Sequence, residues 1–179
     1  IRELGLYADV QADRAHHGGT DQAVYLYAAE EADHWAAHLG REIPPGTFGE
    51  NLRIRGLAVD DLEIGARLRV GSAALEVTAP RTPCATFERW MGVDGFRAAF
   101  HERARTGAYC RVLTPGEVRA EDTIEVIDAP GHGVSAARTY ASPRDVEIAR
   151  RLRDFSTATG TALHAELDRR CERLLSRAR

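Results

Sequence analysis

The chain has 179 residues, 44% hydrophobic and 28% charged, a balance that fits one main domain with a small appended unit and excludes a disordered or membrane-spanning chain. A net charge of −3 argues against nucleic acid as partner, and because all 24 basic residues are arginine the chain offers neither a Schiff-base lysine nor a complete Walker-type phosphate loop. Three widely spaced cysteines, Cys84, Cys110 and Cys171, form neither a disulfide framework nor a clustered iron–sulfur site, so a reducing cytoplasm is expected, with any electrons arriving from another protein.

No signal peptide or membrane span is visible, and the start at Ile1 instead of Met leads us to expect upstream residues that were lost, removed or left out. After Asp9 to Asp13, the segment His16-His17-Gly18-Gly19 reads as a loop. Its glycines let the backbone approach a ligand and expose amides, although taken alone the segment reads first as a solvated turn. Ala23 to Tyr27 reads as a buried strand and Ala28 to Leu39 as a helix ended by Gly40 in a left-handed cap. His34 and His38 share a helix face but lack a third metal ligand at suitable spacing.

Beyond the Pro44-Pro45-Gly46 turn, Phe48-Gly49-Glu50-Asn51-Leu52 places a carboxylate and an amide side by side where an extended segment, Asn51 to Ile54, begins. Ala66 to Thr78 predicts a hairpin about a two-residue Gly71-Ser72 turn, with Leu68 opposite Leu75 and Arg67 opposite Glu76. Ala85 to Met91 and Gly95 to Arg105 read as helices, the second closing near Gly107. Ala108 to Leu113 and Thr123 to Ile127 read as strands flanking the Pro115-Gly116 turn.

Past Pro130 the pattern is helical only. Ser142 predicts an N-cap with Pro143 at the first helical position and Asp145 completing a capping box, and Ile148, Leu152 and Phe155 share one face. A further helix starting at Thr161 carries a stripe of Leu163, Leu167, Cys171 and Leu174. The two stripes suit burial against each other or in a homodimer. Together these elements predict an α+β, β-rich fold. Residues 1–130 form a twisted, partly closed β-barrel with peripheral helices, and residues 131–179 a small helical unit.

Cys84, in Arg81-Thr82-Pro83-Cys84, stands between a strand end and a helix start, where unpaired amides and the helix dipole favour a reactive thiolate. A small buried hydrophobe is the alternative reading. For Cys110 in an apolar strand and Cys171 on a helix stripe, core packing is the expectation. Arg111 alternates with apolar neighbours and suits either an anion or solvent.

Gly18-Gly19 after a histidine, Gly49-Glu50-Asn51-Leu52, Arg81-Thr82-Pro83-Cys84 and Tyr109 to Leu113 with Gly116 together resemble the MOSC family, named for the C-terminal domain of molybdenum-cofactor sulfurase. The helical tail from about Val134 resembles the three-helix unit of its YiiM-like bacterial branch. The resemblance implies a MOSC-type barrel, a molybdenum cofactor (a pterin dithiolene, or molybdopterin) and Cys84 as metal ligand, a soft donor suited to molybdenum. It also implies an additional N-terminal segment ahead of Gly5.

The implied reaction is the reduction of N-hydroxylated compounds (hydroxylamines, amidoximes, N-hydroxylated nucleobases) to amines or amidines, with a separate flavoprotein or ferredoxin-type donor. The implied cofactor contacts are His17, Gly18, Gly19, Glu50, Asn51, Arg81, Thr82 and Arg111, with His17 or Glu50 delivering protons. Arg81, Arg111 and the His17 loop are expected to converge on Cys84. Two alternatives stay open: a cofactor carrier or sulfur-handling module without turnover, and a hydrolase with Cys84 as nucleophile and His17 as base.

Overall fold

The computed structural model describes residues 1–7 and 19–178. Strand β1 (Val24–Ala28) is buried along its whole length. Alternate side chains of a strand point to opposite faces, and β1 uses both. Val24, Leu26 and Ala28 enter one apolar cluster, while Tyr25 and Tyr27 enter another built mainly from aromatic rings. The helix α1 (Ala29–Leu39) follows, ends at Gly40 as the sequence predicts, and returns the chain to β2 (Leu52–Ile54), which pairs with β1 in parallel.

Strands β3 (Arg67–Val70) and β4 (Ala73–Pro80) form the expected hairpin, with Leu68 opposite Leu75 and Arg67 opposite Glu76. Both leucines are completely buried. At the turn Gly71 has φ +54°, and a side chain there would run into the Glu117 carbonyl, so sterics require glycine. The short helices α2 (Ala85–Met91) and α3 (Phe96–Arg103) precede β5 (Ala108–Thr114) and β6 (Ile124–Asp128). These last two strands flank the Pro115-Gly116 turn without pairing, because β5 lies between β1 and β4 whereas β6 lies beyond β3. The result is one six-stranded sheet in the order β2-β1-β5-β4-β3-β6, curled as half a barrel.

The helices α4 (Ala136–Ala141), α5 (Val146–Thr159) and α6 (Ala165–Arg177) follow. Ile148, Leu152, Leu163, Leu167 and Cys171 join Val24, Leu26, Leu68 and Leu75 in a single cluster, so these helices cover one face of the sheet while α1, α2 and α3 supply the aromatic cluster on the other. Phe155 is half-buried, its ring 4.8 Å from that of His132.

Four boundaries differ from expectation. The helix α4 is not legible in the sequence reading, and Ser142 closes it instead of opening α5. Asp145 is the N-cap of α5, its carboxylate accepting the amides of Glu147 and Ile148. The helix α6 starts after His164, not at Thr161, since the imidazole accepts the Glu166 amide. The helix α3 ends at Ala104, which itself takes the left-handed conformation. Gly107 serves another purpose: at φ +77°, a side chain there would strike the Leu26 carbonyl of the neighbouring strand.

Candidate functional site

Cys84 is the N-cap residue of α2, in extended conformation at the end of the segment that leaves β4. Of the three cysteines it alone is not buried. Cys110 lies on the opposite side of β5, within the apolar cluster, where burial pushes its thiol far above the ordinary range. Cys171 is held up by burial as well. A thiolate is the reactive and metal-binding form of cysteine, so the fold confines such chemistry to Cys84.

Cys84 faces a cavity of about 300 Å³ whose far wall comes from α6 and the turn before it: His164, Glu166, Arg170 and Arg173. Gln22, Thr82 and Tyr109 complete its polar lining. The Glu166 amide donates to His164 Nδ1 at 3.2 Å, so the neutral ring carries its hydrogen on Nε2. Nε2 lies 3.0 Å from the side-chain amide of Gln22, and the pair is satisfied when the Gln22 carbonyl oxygen faces the ring. Burial lowers the His164 pKa, consistent with that neutral form.

Arg170 and Arg173 stand one turn apart on α6, and neither guanidinium is ion-paired among the described residues. Arg170 donates to the Thr139 carbonyl at 3.4 Å. Burial, and to a lesser degree Arg173, lowers its pKa, yet a guanidinium stays charged at neutral pH. Arg81 lines neither this cavity nor its neighbour and lies against Phe87 (4.2 Å) and Tyr25 (5.3 Å). Its Nη1 is buried without a hydrogen-bond partner among the described residues. An unpaired buried donor is costly, and a polar ligand would satisfy it.

A second cavity, of about 530 Å³, lies across the Thr82-Pro83 segment, and Pro80 and Arg170 line both cavities. Thus Thr82-Pro83 forms a partition between two lobes, with Cys84 on the first alone.

The other residues singled out by the sequence fall at one remove. Arg111 pairs with Asp21 (3.1 Å) and Glu76 (3.6 Å) and donates to the Ala162 carbonyl at 2.8 Å. It therefore ties β4 and β5 to the turn leading into His164, and its charge is already neutralised. The Glu50 carboxylate accepts the amides of Gly46 and Phe48, each at 2.9 Å, and pairs with Arg53. That is a loop anchor, with both oxygens engaged. Asn51 Oδ1 accepts the Tyr25 amide at 2.7 Å and its own amide donates to the Tyr25 carbonyl, which positions the Tyr25 ring beside Tyr109. Gly19 has φ +84° and precedes the Thr20–Gln22 turn, whereas His16, His17 and Gly18 lie outside the described residues.

The structure thus brings Cys84 and Thr82 to one cavity, leaves Arg81 off its lining, and adds Gln22, His164, Arg170 and Arg173, which the sequence does not single out. In sequence Arg170 and Arg173 stand at i, i+3 on the polar flank of the Leu167–Cys171–Leu174 stripe, a spacing that describes a solvated helix face as well as a ligand site. No helix among the described residues is long and apolar enough to cross a membrane.

The chain is similar in sequence and fold to several known proteins. Residues 13–125 match the MOSC domain family. Protein YiiM of Escherichia coli (strain K12) is 30% identical over 131 residues, covering 71% of this chain and 58% of that protein. This chain therefore spans less than two thirds of that relative. A protein named "Reductase" from Gibberella moniliformis is 30% identical over 134 residues, covering 70% of this chain and 23% of that protein. The crystal structure of YiiM from Geobacillus stearothermophilus superposes with a TM-score of 0.77 at 25% identity, covering 88% of this chain and 80% of that one. Fold, motif order and sequence agree: the chain belongs to the MOSC domain family and is YiiM-like.

Proposed function

We propose that the chain binds a molybdenum cofactor in the cavity beside Cys84 and reduces N-hydroxylated compounds, such as hydroxylamines, amidoximes and N-hydroxylated nucleobases, to amines or amidines. The observation that carries this reading is the position of Cys84, the one cysteine not buried, across a cavity from Arg170 and Arg173, neither of them ion-paired among the described residues. A thiolate is a soft ligand suited to molybdenum, and paired arginines suit a pterin phosphate. Arg81, three residues before Cys84, has an Nη1 without a hydrogen-bond partner among the described residues. The relative named reductase agrees in reaction class.

When bound, the cofactor would supply two-electron chemistry that removes the substrate oxygen. The balance is R–NH–OH plus two electrons and two protons giving R–NH₂ and water, with the electrons from a separate flavoprotein or ferredoxin-type donor. Cys84 would hold the metal, and Arg170, Arg173 and Thr82 would orient the phosphate and pterin. His17, Gly18 and Gly19 are retained as contacts carried over from the family. Arg111, Glu50 and Asn51 act by fixing the walls.

The test is expression of the chain and its Cys84→Ser variant in a cofactor-producing host, with Cys110→Ala as control. Molybdenum per chain and hydroxylamine reduction with a chemical electron donor are measured. Loss of the thiolate should abolish both, a larger effect than the roughly 10–100-fold produced by changing the groups behind a metal's ligands, while the control retains both. Retention of metal and rate by Cys84→Ser defeats the proposal. Bound metal without turnover in the parent chain favours a cofactor carrier instead.

A further inference from the structure

We infer that the second lobe, across Thr82-Pro83 from Cys84, binds the carbon frame of a planar, largely apolar N-hydroxylated substrate such as an aromatic amidoxime, and that His101 with Tyr140 delivers a proton there. This rests on the reductase reading above and adds to it the substrate site and a proton source.

The two lobes have different chemistry. The Cys84 lobe is lined by Gln22, His164, Glu166, Arg170 and Arg173, which suits an anionic, hydrogen-bonding ligand. Its neighbour is walled by Pro80, Pro83, Ala98, Pro143 and the ring of Tyr140, flat and rigid surfaces with few donors or acceptors. At about 530 Å³ it lies within the roughly 300–1,000 Å³ typical of small-molecule sites, which combine apolar walls with a few placed polar groups. The charged pair on its rim, Glu88 and Arg97, is 3.8 Å apart and balances itself. Arg170 is shared with the first lobe. An uncharged aromatic frame matches these walls better than an anion does.

The placed polar group is a dyad. His101 Nδ1 lies 2.6 Å from Tyr140 Oη, and the two rings meet edge to face. Burial raises the Tyr140 pKa, so the phenol stays protonated and can donate to Nδ1 of a neutral ring or accept from Nδ1–H of an imidazolium. In the neutral imidazole the remaining hydrogen then sits on Nε2, on a residue that lines the cavity. Breaking the N–O bond needs two protons to release the oxygen as water. Glu50 is committed to Arg53 and loop amides, whereas a His101 imidazolium, held at Nδ1 by the Tyr140 oxygen, can pass a proton from Nε2 and regain one from solvent, to which it is exposed, once for each of the two protons.

Both parts can be tested on protein purified from a cofactor-producing host. Binding of benzamidoxime is followed by ligand NMR line broadening without an electron donor, so that no turnover occurs. Ala98→Phe places a ring in the lobe from an exposed helix position and should weaken binding at least tenfold with unchanged molybdenum content. Undiminished binding by that variant, or no binding by the parent chain, overturns the site. His101→Gln should leave binding within twofold and lower kcat at least tenfold with KM unchanged, and Tyr140→Phe should lower kcat less. An unchanged kcat in His101→Gln overturns the proton role. Molybdenum content measured in parallel separates the two proposals: a metal-free parent that binds benzamidoxime contradicts the cofactor reading and leaves the substrate lobe standing.

Discussion

Asp60 accepts the backbone amide of Gly107 at 2.8 Å, a hydrogen bond between residues 47 positions apart in which both groups are buried. Gly107 is thereby held against β1. With φ +77° and the Leu26 carbonyl in the path of any side chain, Gly107→Ala combines backbone strain with a clash. We expect a loss of about 2–4 kcal/mol, read as a lowered denaturant midpoint at unchanged slope. A loss below about 1 kcal/mol would show that the strand pair yields at little cost.

The same bond has a pH signature. Burial raises the Asp60 pKa from 3.8 to about 6, opposed by the Gly107 amide and the Arg105 charge. Because the folded value exceeds the unfolded one, the stabilisation is complete below about pH 4 and is lost as pH rises through about 6. The span corresponds to about 3 kcal/mol. Asp60→Asn keeps an acceptor for Gly107 and removes the ionisation. Subtracting its unfolding free energy from that of the parent chain between pH 4 and 8 should expose a decline confined to pH 4–6. A flat difference refutes the assignment.

Glu50→Gln separates anchoring from chemistry. The Glu50 side chain is 1% exposed and that of Arg53 13%, so removing the carboxylate charge leaves a nearly buried guanidinium without its counter-ion. Breaking such a pair costs about 3–5 kcal/mol. Arg53→Ala should cost a similar amount, and the double variant less than the sum. The turnover per folded molecule should be unchanged. A stable Glu50→Gln protein that has lost turnover would return Glu50 to the role of proton donor.

The hairpin was legible because its determinants are local: alternation at period two about Gly71-Ser72 places Leu68 against Leu75 whatever the rest of the chain does. The start of α5 was ambiguous for an equally local reason. Ser142 before Pro143 and Asp145 both have cap chemistry, and Asp145 prevails because its carboxylate reaches two amides. Cys84 could be picked out from its strand–helix junction and the family motif. His164, Arg170 and Arg173 could not, because their meaning depends on α6 folding back across the Cys84 segment, and helix spacing alone reads them as a solvated flank. Arg111 has the opposite history: its strand position allowed an anion contact, but Asp21 and Glu76 take up that charge.

Gln22 and His164 touch across 142 positions of the chain. A ligand clasped between them and Cys84 thus acts as a clip on a loop nearly as long as the molecule. Such a loop costs little more entropy to close than one half its length, about 0.6 kcal/mol per doubling, but nothing short of docking α6 onto the sheet closes it. Local fraying elsewhere leaves the clip intact, whereas detachment of α6 dismantles one entire wall. Occupancy of the cavity is therefore coupled to detachment of α6, and a ligand at a hundred times its dissociation constant adds about 2.7 kcal/mol against that event.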